Sequence, residues 1–540
     1  MIMSFFNANG SFGYTAPAQP DFPRASDLLL HMDRLGIQRS IVYHLRARDQ
    51  SADMGNSTLL KEIEACPGAE HRLVPAFTVV PTMFYAGGSM DNLVKAMAIG
   101  KVRALRAFPA THGFRLWYLE PMLEQVSRFN PVLLVDIPEV GDAQDVLRLS
   151  DSFPRMPIIL SEGMWGHMVT LFELMRRRRN VLAETSWIHS WGTLEDLVHY
   201  FGSDRVVFGI GPKAQQGASI GGLVYAKLSD SQKEEVAHGN LERLLGLASF
   251  TEQISFSSVE TLKPCSNLWK KYIAGQPIGV GILDAHAHLG GSSTWVKLLV
   301  PTLHEHSDID AQIRETIPEM DRYGIQTLIV SCQDALFSDP VVGNRLLEDH
   351  AGRHGDRFKG YLGFNPFYDR ELVPLFDDFF SRPFFVGFKV LADYWQVPMN
   401  DLRFEPVWKY AHEHRLPILL HTWDTAYSSP RLLKDIVKQC PDAFFLLGHS
   451  GGGDVGRLEA MELASASPNV YLEWCGSFCS RITWEETLSR VSHEKVVFGT
   501  DGIFHSFDWE LARFLSLNIS EEKMLPILGQ NMRRILSCRV

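Results

Sequence analysis

The stretch Met32-Asp33-Arg34-Leu35-Gly36-Ile37-Gln38-Arg39-Ser40-Ile41-Val42 returns as Met320-Asp321-Arg322-Tyr323-Gly324-Ile325-Gln326-Thr327-Leu328-Ile329-Val330. The chain is therefore written twice, with an offset near half of its 540 residues. Further pairs hold the register. Pro131-Val132-Leu133-Leu134 matches Pro417-Ile418-Leu419-Leu420, and Val206-Val207-Phe208-Gly209 matches Val496-Val497-Phe498-Gly499. Gly239-Asn240-Leu241-Glu242-Arg243-Leu244-Leu245 matches Gln530-Asn531-Met532-Arg533-Arg534-Ile535-Leu536. Solenoid repeats have periods of roughly 20–50 residues, so this is duplication of a whole domain.

Each copy alternates short apolar strands with amphipathic helices. In the second copy the strand runs fall near Ile282, then at 326–330, 359–363, 386–390, 418–421, 444–448, 470–473 and 496–499. They show little alternation, as strands buried on both faces should. Helical patterns such as 310–323 and 406–414 lie between them. This predicts an α/β fold of two tandem (β/α)₈ TIM-type barrels, residues 1–247 and 281–540, with 248–280 as linker.

Composition is that of a soluble globular protein, with 45% hydrophobic and 21% charged residues. A formal net charge of −11 argues against a nucleic-acid partner. The one basic run, Arg176 to Arg179, reads as a solvated helix end. Apolar runs are too short for a signal peptide or membrane span. Seven scattered cysteines give no disulfide framework, so a reduced, cytoplasmic protein is the expectation.

Catalytic groups of such barrels sit at the carboxyl ends of strands. There the second copy places Asp284-Ala285-His286-Ala287-His288, Lys389, His421, His449 and Asp501. Imidazoles at three strand ends, closed by an aspartate, predict a divalent metal site. Nitrogen and oxygen donors without cysteine suit Zn2+ best, with Mn2+, Fe2+ and Co2+ as alternatives.

The set resembles the amidohydrolase superfamily, most closely the amidohydrolase-2 branch related to aminocarboxymuconate-semialdehyde decarboxylase. The resemblance covers the second copy, including its closing Gly529-Gln530-Asn531-Met532-Arg533-Arg534-Ile535-Leu536. It implies that His286, His288, His421 and Asp501 hold one ion. His449 is then a proton shuttle or a second-site ligand, and Asp501 also takes a proton. Lys389 is open between pairing with an anionic substrate, bridging two metals as a carbamate, and a plain ion pair. Trp423 and Trp395, with Tyr394, are expected either to wall a small-molecule pocket or to pack against the other barrel. Glu473 has its counterpart in Glu184 and reads as structural. His304-Glu305-His306 reads as a solvated loop.

The first copy sets Asn7 and Asn9 against His286 and His288, Arg106 against Lys389, Val135 against His421, Glu162 against His449, and Gly211 against Asp501. It is expected to be a degenerate, metal-free barrel that packs on the second as a pseudo-dimer within one chain. The leading functional expectation is a metal-dependent hydrolase of a small amide, lactone or related carbonyl compound. The alternatives are a non-oxidative decarboxylase of an unsaturated or aromatic acid, whose carboxylate needs a fixed cation, and a non-catalytic scaffold. Arg403, Arg431, Arg457 and Arg481 are candidates for that cation.

Overall fold

The computed structural model describes residues 3–14, 20–211, 217–249, 266–290, 308–476, 481–503 and 505–539. The chain divides into two compact units, Met1–Cys265 and Ser266–Val540. Each holds one eight-stranded parallel sheet whose strands pair in chain order. In the first unit the strands are β1 (Phe5–Phe12), β2 (Ile37–His44), β3 (Leu73–Thr78), β4 (Ala104–Ala107), β5 (Val132–Asp136), β6 (Ile158–Ser161), β7 (Val181–Glu184) and β8 (Val206–Val207). In the second they are β9 (Ile282–Leu289), β10 (Ile325–Cys332), β11 (Phe358–Gly363), β12 (Phe385–Val390), β13 (Pro417–His421), β14 (Phe444–Gly448), β15 (Val470–Glu473) and β16 (Val496–Val497). The Ala8 amide donates to the Phe208 carbonyl (2.8 Å) and the Ala285 amide to the Phe498 carbonyl (2.9 Å). These bonds bring the first strand of each sheet to its last, so both units are TIM-type barrels.

The duplicated segment has a local cause. Helices Ala25–Leu35 and Ile309–Tyr323 both end on a left-handed glycine, Gly36 at φ 80° and Gly324 at φ 78°. Glycine takes this conformation without Cβ strain and stops the helix. The chain then enters the second strand of each barrel. The helix Asn267–Ile273 lies within the expected linker and belongs to the second unit, where the Tyr272 hydroxyl donates to the Asp508 carbonyl (2.9 Å). Among the described residues, no helix is long and apolar enough to cross a membrane.

The first strand of each barrel carries one extra residue. Asn7 pairs with Ser40 but Gly10 with Val42; Asp284 pairs with Leu328 but Ala287 with Val330. Such a bulge reverses the alternation of side chains beyond it. Phe6 and Ala8 join one core cluster, and Leu283 and Ala285 the other. Past the bulge, the axis-facing positions become Asn9 and Ser11 in the first barrel, and His286 and His288 in the second.

This register corrects three of the pairings expected from sequence. Asn9 and Ser11, not Asn7 and Asn9, stand where His286 and His288 stand, and Asn7 corresponds to Asp284. Asp136, not Val135, corresponds to His421, because Arg106 pairs with Leu134 as Lys389 pairs with Leu419. The first barrel therefore keeps carboxylates at the places of His421 and His449. The pairing of Glu162 with His449 is supported by the backbone, since both sit at positive φ, 57° and 62°.

A buried glutamate at the end of β7 and of β15 ties each barrel mouth together. Glu184 accepts from the Ser186 amide and hydroxyl, both at 2.7 Å. Glu473 accepts from the Cys475 amide (2.7 Å) and the His449 amide (3.1 Å). Burial raises Glu184 to about 7. A group raised from 4.5 contributes stability below that value and loses it as pH rises through about 7. The loss amounts to roughly 3 kcal/mol. The variant Glu184→Gln keeps the acceptor and removes the charge. Chemical denaturation at about pH 5 and about pH 8 is expected to show wild type losing roughly 2–3 kcal/mol more than the variant. Equal losses would contradict the buried-carboxyl account.

Candidate metal centre

Two histidines reach the barrel axis from the bulged end of β9. His286 Nδ1 lies 3.1 Å from Glu473 Oε2, and His288 Nδ1 lies 2.8 Å from Ser331 Oγ. With their Nδ1 sides held, both rings present Nε2 to one carboxylate oxygen. Asp501 Oδ1 is 3.5 Å from His286 Nε2 and 3.0 Å from His288 Nε2. Asp501 follows β16 in the left-handed region, φ 57°, and its counterpart Gly211 has φ 73°. The turn imposes that conformation on either residue.

The electrostatics favour a cation. Burial holds His286 well below its ordinary value and lowers His288 and His449. Burial alone would raise Asp501, but His286 and His288 hold its carboxyl well below the usual range. Neutral imidazoles around an ionised carboxylate are the protonation states a metal requires. Lys389, fully buried on β12, donates to His286 Nε2 at 2.6 Å. Its ammonium occupies the position of a cation beside that nitrogen. Burial lowers Lys389 to about 8. These residues fit one divalent ion, which when bound supplies Lewis-acid polarisation of a substrate oxygen.

The remaining expected residues fall into two groups. His421 is adjacent, its ring 4.7 Å from that of His449 and its Nε2 3.7 Å from Asp393 Oδ2. Burial, then His449, holds His421 well below its ordinary value. The Nδ1–H of His449 donates to the Cys475 carbonyl (3.1 Å), which fixes the tautomer and keeps Nε2 as the available base. Trp423 stacks on His421 with ring centroids 6.0 Å apart and meets His449 edge-on at 5.9 Å. Trp395 turns elsewhere. Its Nε1 donates to the Leu336 carbonyl (2.9 Å) and its ring packs on Phe404, while neighbouring Tyr394 meets His421 at 5.3 Å.

Arg403 pairs with Asp401, Arg431 with Glu459 and Arg457 with Glu486. The side chain of Arg481 and the segment His304-Glu305-His306 lie outside the described residues.

Sequence reasoning gave no role to two neighbours of the histidines, Cys475 and Asp284. It read Glu473 as structural, and Glu473 Oε2 also backs His286. Cys475 Sγ lies 3.0 Å from His286 Nδ1, and burial pushes its thiol well above 9. Asp284 heads the Asp-Ala-His-Ala-His run. It accepts from the amides of His286 and Thr500, and from the Thr500 hydroxyl at 2.5 Å. Burial raises Asp284 to about 8, against the hydrogen bonds from Thr500 and His286 that lower it. The first barrel places the neutral amide Asn7 there, and that pairing was the available signal.

Residues 283–537, which span the second barrel, match the family model for amidohydrolases. No curated protein matches the sequence. Among solved structures, one similar chain is a 2,6-dihydroxybenzoate decarboxylase, 18% identical, covering 48% of this chain and 99% of its own, with a TM-score of 0.39. A dihydroxybenzoic acid decarboxylase from Polaromonas sp. JS666 with bound manganese is 19% identical, over 48% of this chain and 97% of its own, at TM-score 0.39. The 5-carboxyvanillate decarboxylase from Sphingomonas paucimobilis is 14% identical, over 48% and 99%, at TM-score 0.39.

Elemental analysis of the purified protein is expected to find a divalent ion that Asp501→Asn or His288→Ala loses. Glu473→Gln, which weakens the support behind His286, is expected to lower metal affinity roughly 10–100-fold. Unchanged metal content in Asp501→Asn would rule this centre out.

Proposed function

We propose that the second barrel is a metal-dependent decarboxylase of a small unsaturated or aromatic acid. The observation that carries this reading is the placement of Lys389. Its ammonium is buried among the histidines, and among the described residues it makes no ion pair. A carboxylate substrate matches the charge of this lysine and of the ion together. A neutral amide or lactone makes no such use of the lysine, which is why the hydrolase reading ranks second. Three of the candidate arginines are already matched by carboxylates of their own.

In this reading His286, His288 and Asp501 hold the ion, with His421 as the adjacent fourth donor. Zinc is the proposed ion from donor type; manganese, iron and cobalt accept the same donors. Lys389 pairs with the acid, while Trp423 and Tyr394 flank its planar body. Carbon dioxide leaves when the carbon–carboxylate bond breaks, and the electron pair stays on the substrate carbon. A proton from solvent, relayed through His449 Nε2, completes the product at that carbon.

The test is a panel of unsaturated and aromatic acids, amides and lactones offered to the metal-loaded protein. Carbon dioxide release from acids is expected. Lys389→Met is expected to lower kcat/KM for them roughly 100-fold or more while metal content is retained. Hydrolysis of amides or lactones without carbon dioxide release would return the function to a hydrolase.

A further inference from the structure

Behind the histidines of the second barrel lies a buried ion pair. It sits on the helix Phe507–Leu515, which follows the last strand. Glu510 is fully buried and Arg513 is 1% exposed. Arg513 Nε donates to Glu510 Oε2 at 3.1 Å. Burial alone would raise Glu510, but Arg513 and the imidazole of His505 hold its carboxyl below the ordinary range. The ionised carboxylate is an acceptor only.

Its other donors come from two segments. Trp474 Nε1 (3.0 Å) and the Gly476 amide (3.2 Å) reach it from the end of β15. His505 Nδ1, 3.0 Å away, reaches it from the loop after β16. Arg513 also donates to the Trp474 carbonyl (3.2 Å) and lies over the Trp474 ring, 4.5 Å from its centroid.

Each segment holds a group of the metal centre. Between Trp474 and Gly476 stands Cys475, whose carbonyl accepts from His449 Nδ1 at 3.1 Å and so aims that ring. A Cβ on Gly476 would come within 2.8 Å of His449 Nδ1 and 3.4 Å of His505 Cε1, so the two rings flank this glycine. The His505 amide donates to the Asp501 carbonyl (3.2 Å), next to the backbone that holds Asp501 at φ 57°. One carboxylate thus ties together the segment that orients His449 and the loop that presents Asp501.

The first barrel closes without this arrangement. Thr185 holds the place of Trp474: their amides donate to the Val207 and Val497 carbonyls, both at 3.1 Å. The helix after its last strand, Ala218–Tyr225, reads Ala-Ser-Ile-Gly-Gly-Leu-Val-Tyr and carries no charge. Burying two charges costs desolvation that apolar side chains avoid. Only the second barrel bears that cost, and what distinguishes it is the histidine-rich centre.

We propose that Glu510, braced by Arg513, is a positioning residue that sets Asp501 and His449 jointly in the geometry the metal requires. The proposal rests on the metal centre, not on the choice between decarboxylation and hydrolysis.

The test is titration of Co2+ into the full-length, metal-free protein, followed by the visible absorption of the bound ion. Wild type is expected to bind with a saturable spectrum. Glu510→Gln turns an N–H toward groups that are themselves donors. It is expected to bind Co2+ roughly 10–100-fold more weakly, and with an altered spectrum, while circular dichroism shows it folded. The single variant leaves the Arg513 charge buried and unmatched. Should it fail to fold, Glu510→Leu combined with Arg513→Met removes both charges and supplies the same comparison. A merely structural ion pair would lower the melting temperature and leave Co2+ affinity and spectrum unchanged, which would overturn this proposal alone. Absence of Co2+ binding by wild type would overturn the metal centre itself, and the proposal with it.

Discussion

One extra residue in the first strand of each barrel decides which side chains meet at the axis. A strand alternates its faces with period two, so a single inserted residue moves every later side chain to the other face. Before the bulge, Leu283 and Ala285 belong to the apolar interior. After it, His286 and His288 turn inward together, where Asp501 and Lys389 reach them. The buried glutamate of β7 or β15 then constrains the strand that closes the barrel. A Cβ on Gly209 would come within 1.8 Å of Glu184 Oε1, and one on Gly499 within 2.2 Å of Glu473 Oε1. The shared Val-Val-Phe-Gly sequence is the trace of that constraint.

On this common frame the two barrels hold different chemistry. The second surrounds Asp501 with neutral imidazoles and a buried ammonium. The first sets a guanidinium against two carboxylates. Features common to both belong to the frame: the bulge, the glutamate, and the left-handed backbone at Glu162 and His449. A non-glycine residue in that region costs about 1–3 kcal/mol, and such positions cluster at functional sites. The first barrel retains that conformation at Glu162 although its donor set is no longer the histidine-rich one.

The fold was legible because parallel strands buried on both faces leave apolar runs between helical patterns. The five main positions, His286, His288, His421, His449 and Asp501, were legible because they end those runs. The pairing of the copies was less so. Asn7-Ala8-Asn9 mimics His286-Ala287-His288 by eye, but the bulge has the same place in both strands and fixes Asn9 opposite His286. Asp136 was missed for Val135 because the offset drifts where loops change length. Tyr394 and Trp395 are neighbours on one short helix, and only its phase decides which ring meets His421. The braces Glu473, Ser331 and Asp284 act from behind the ligands, through contacts that spacing along the chain does not encode.

The central claim is that the histidine-rich barrel alone holds the catalytic ion, at the meeting point of His286, His288 and Asp501. Anomalous diffraction from crystals grown with manganese tests it most directly. The account requires an anomalous peak within coordination distance of His286 Nε2, His288 Nε2 and Asp501 Oδ1, and none at the axis of the first barrel. A peak between Asp136 and Glu162, or none in the second barrel, would contradict it.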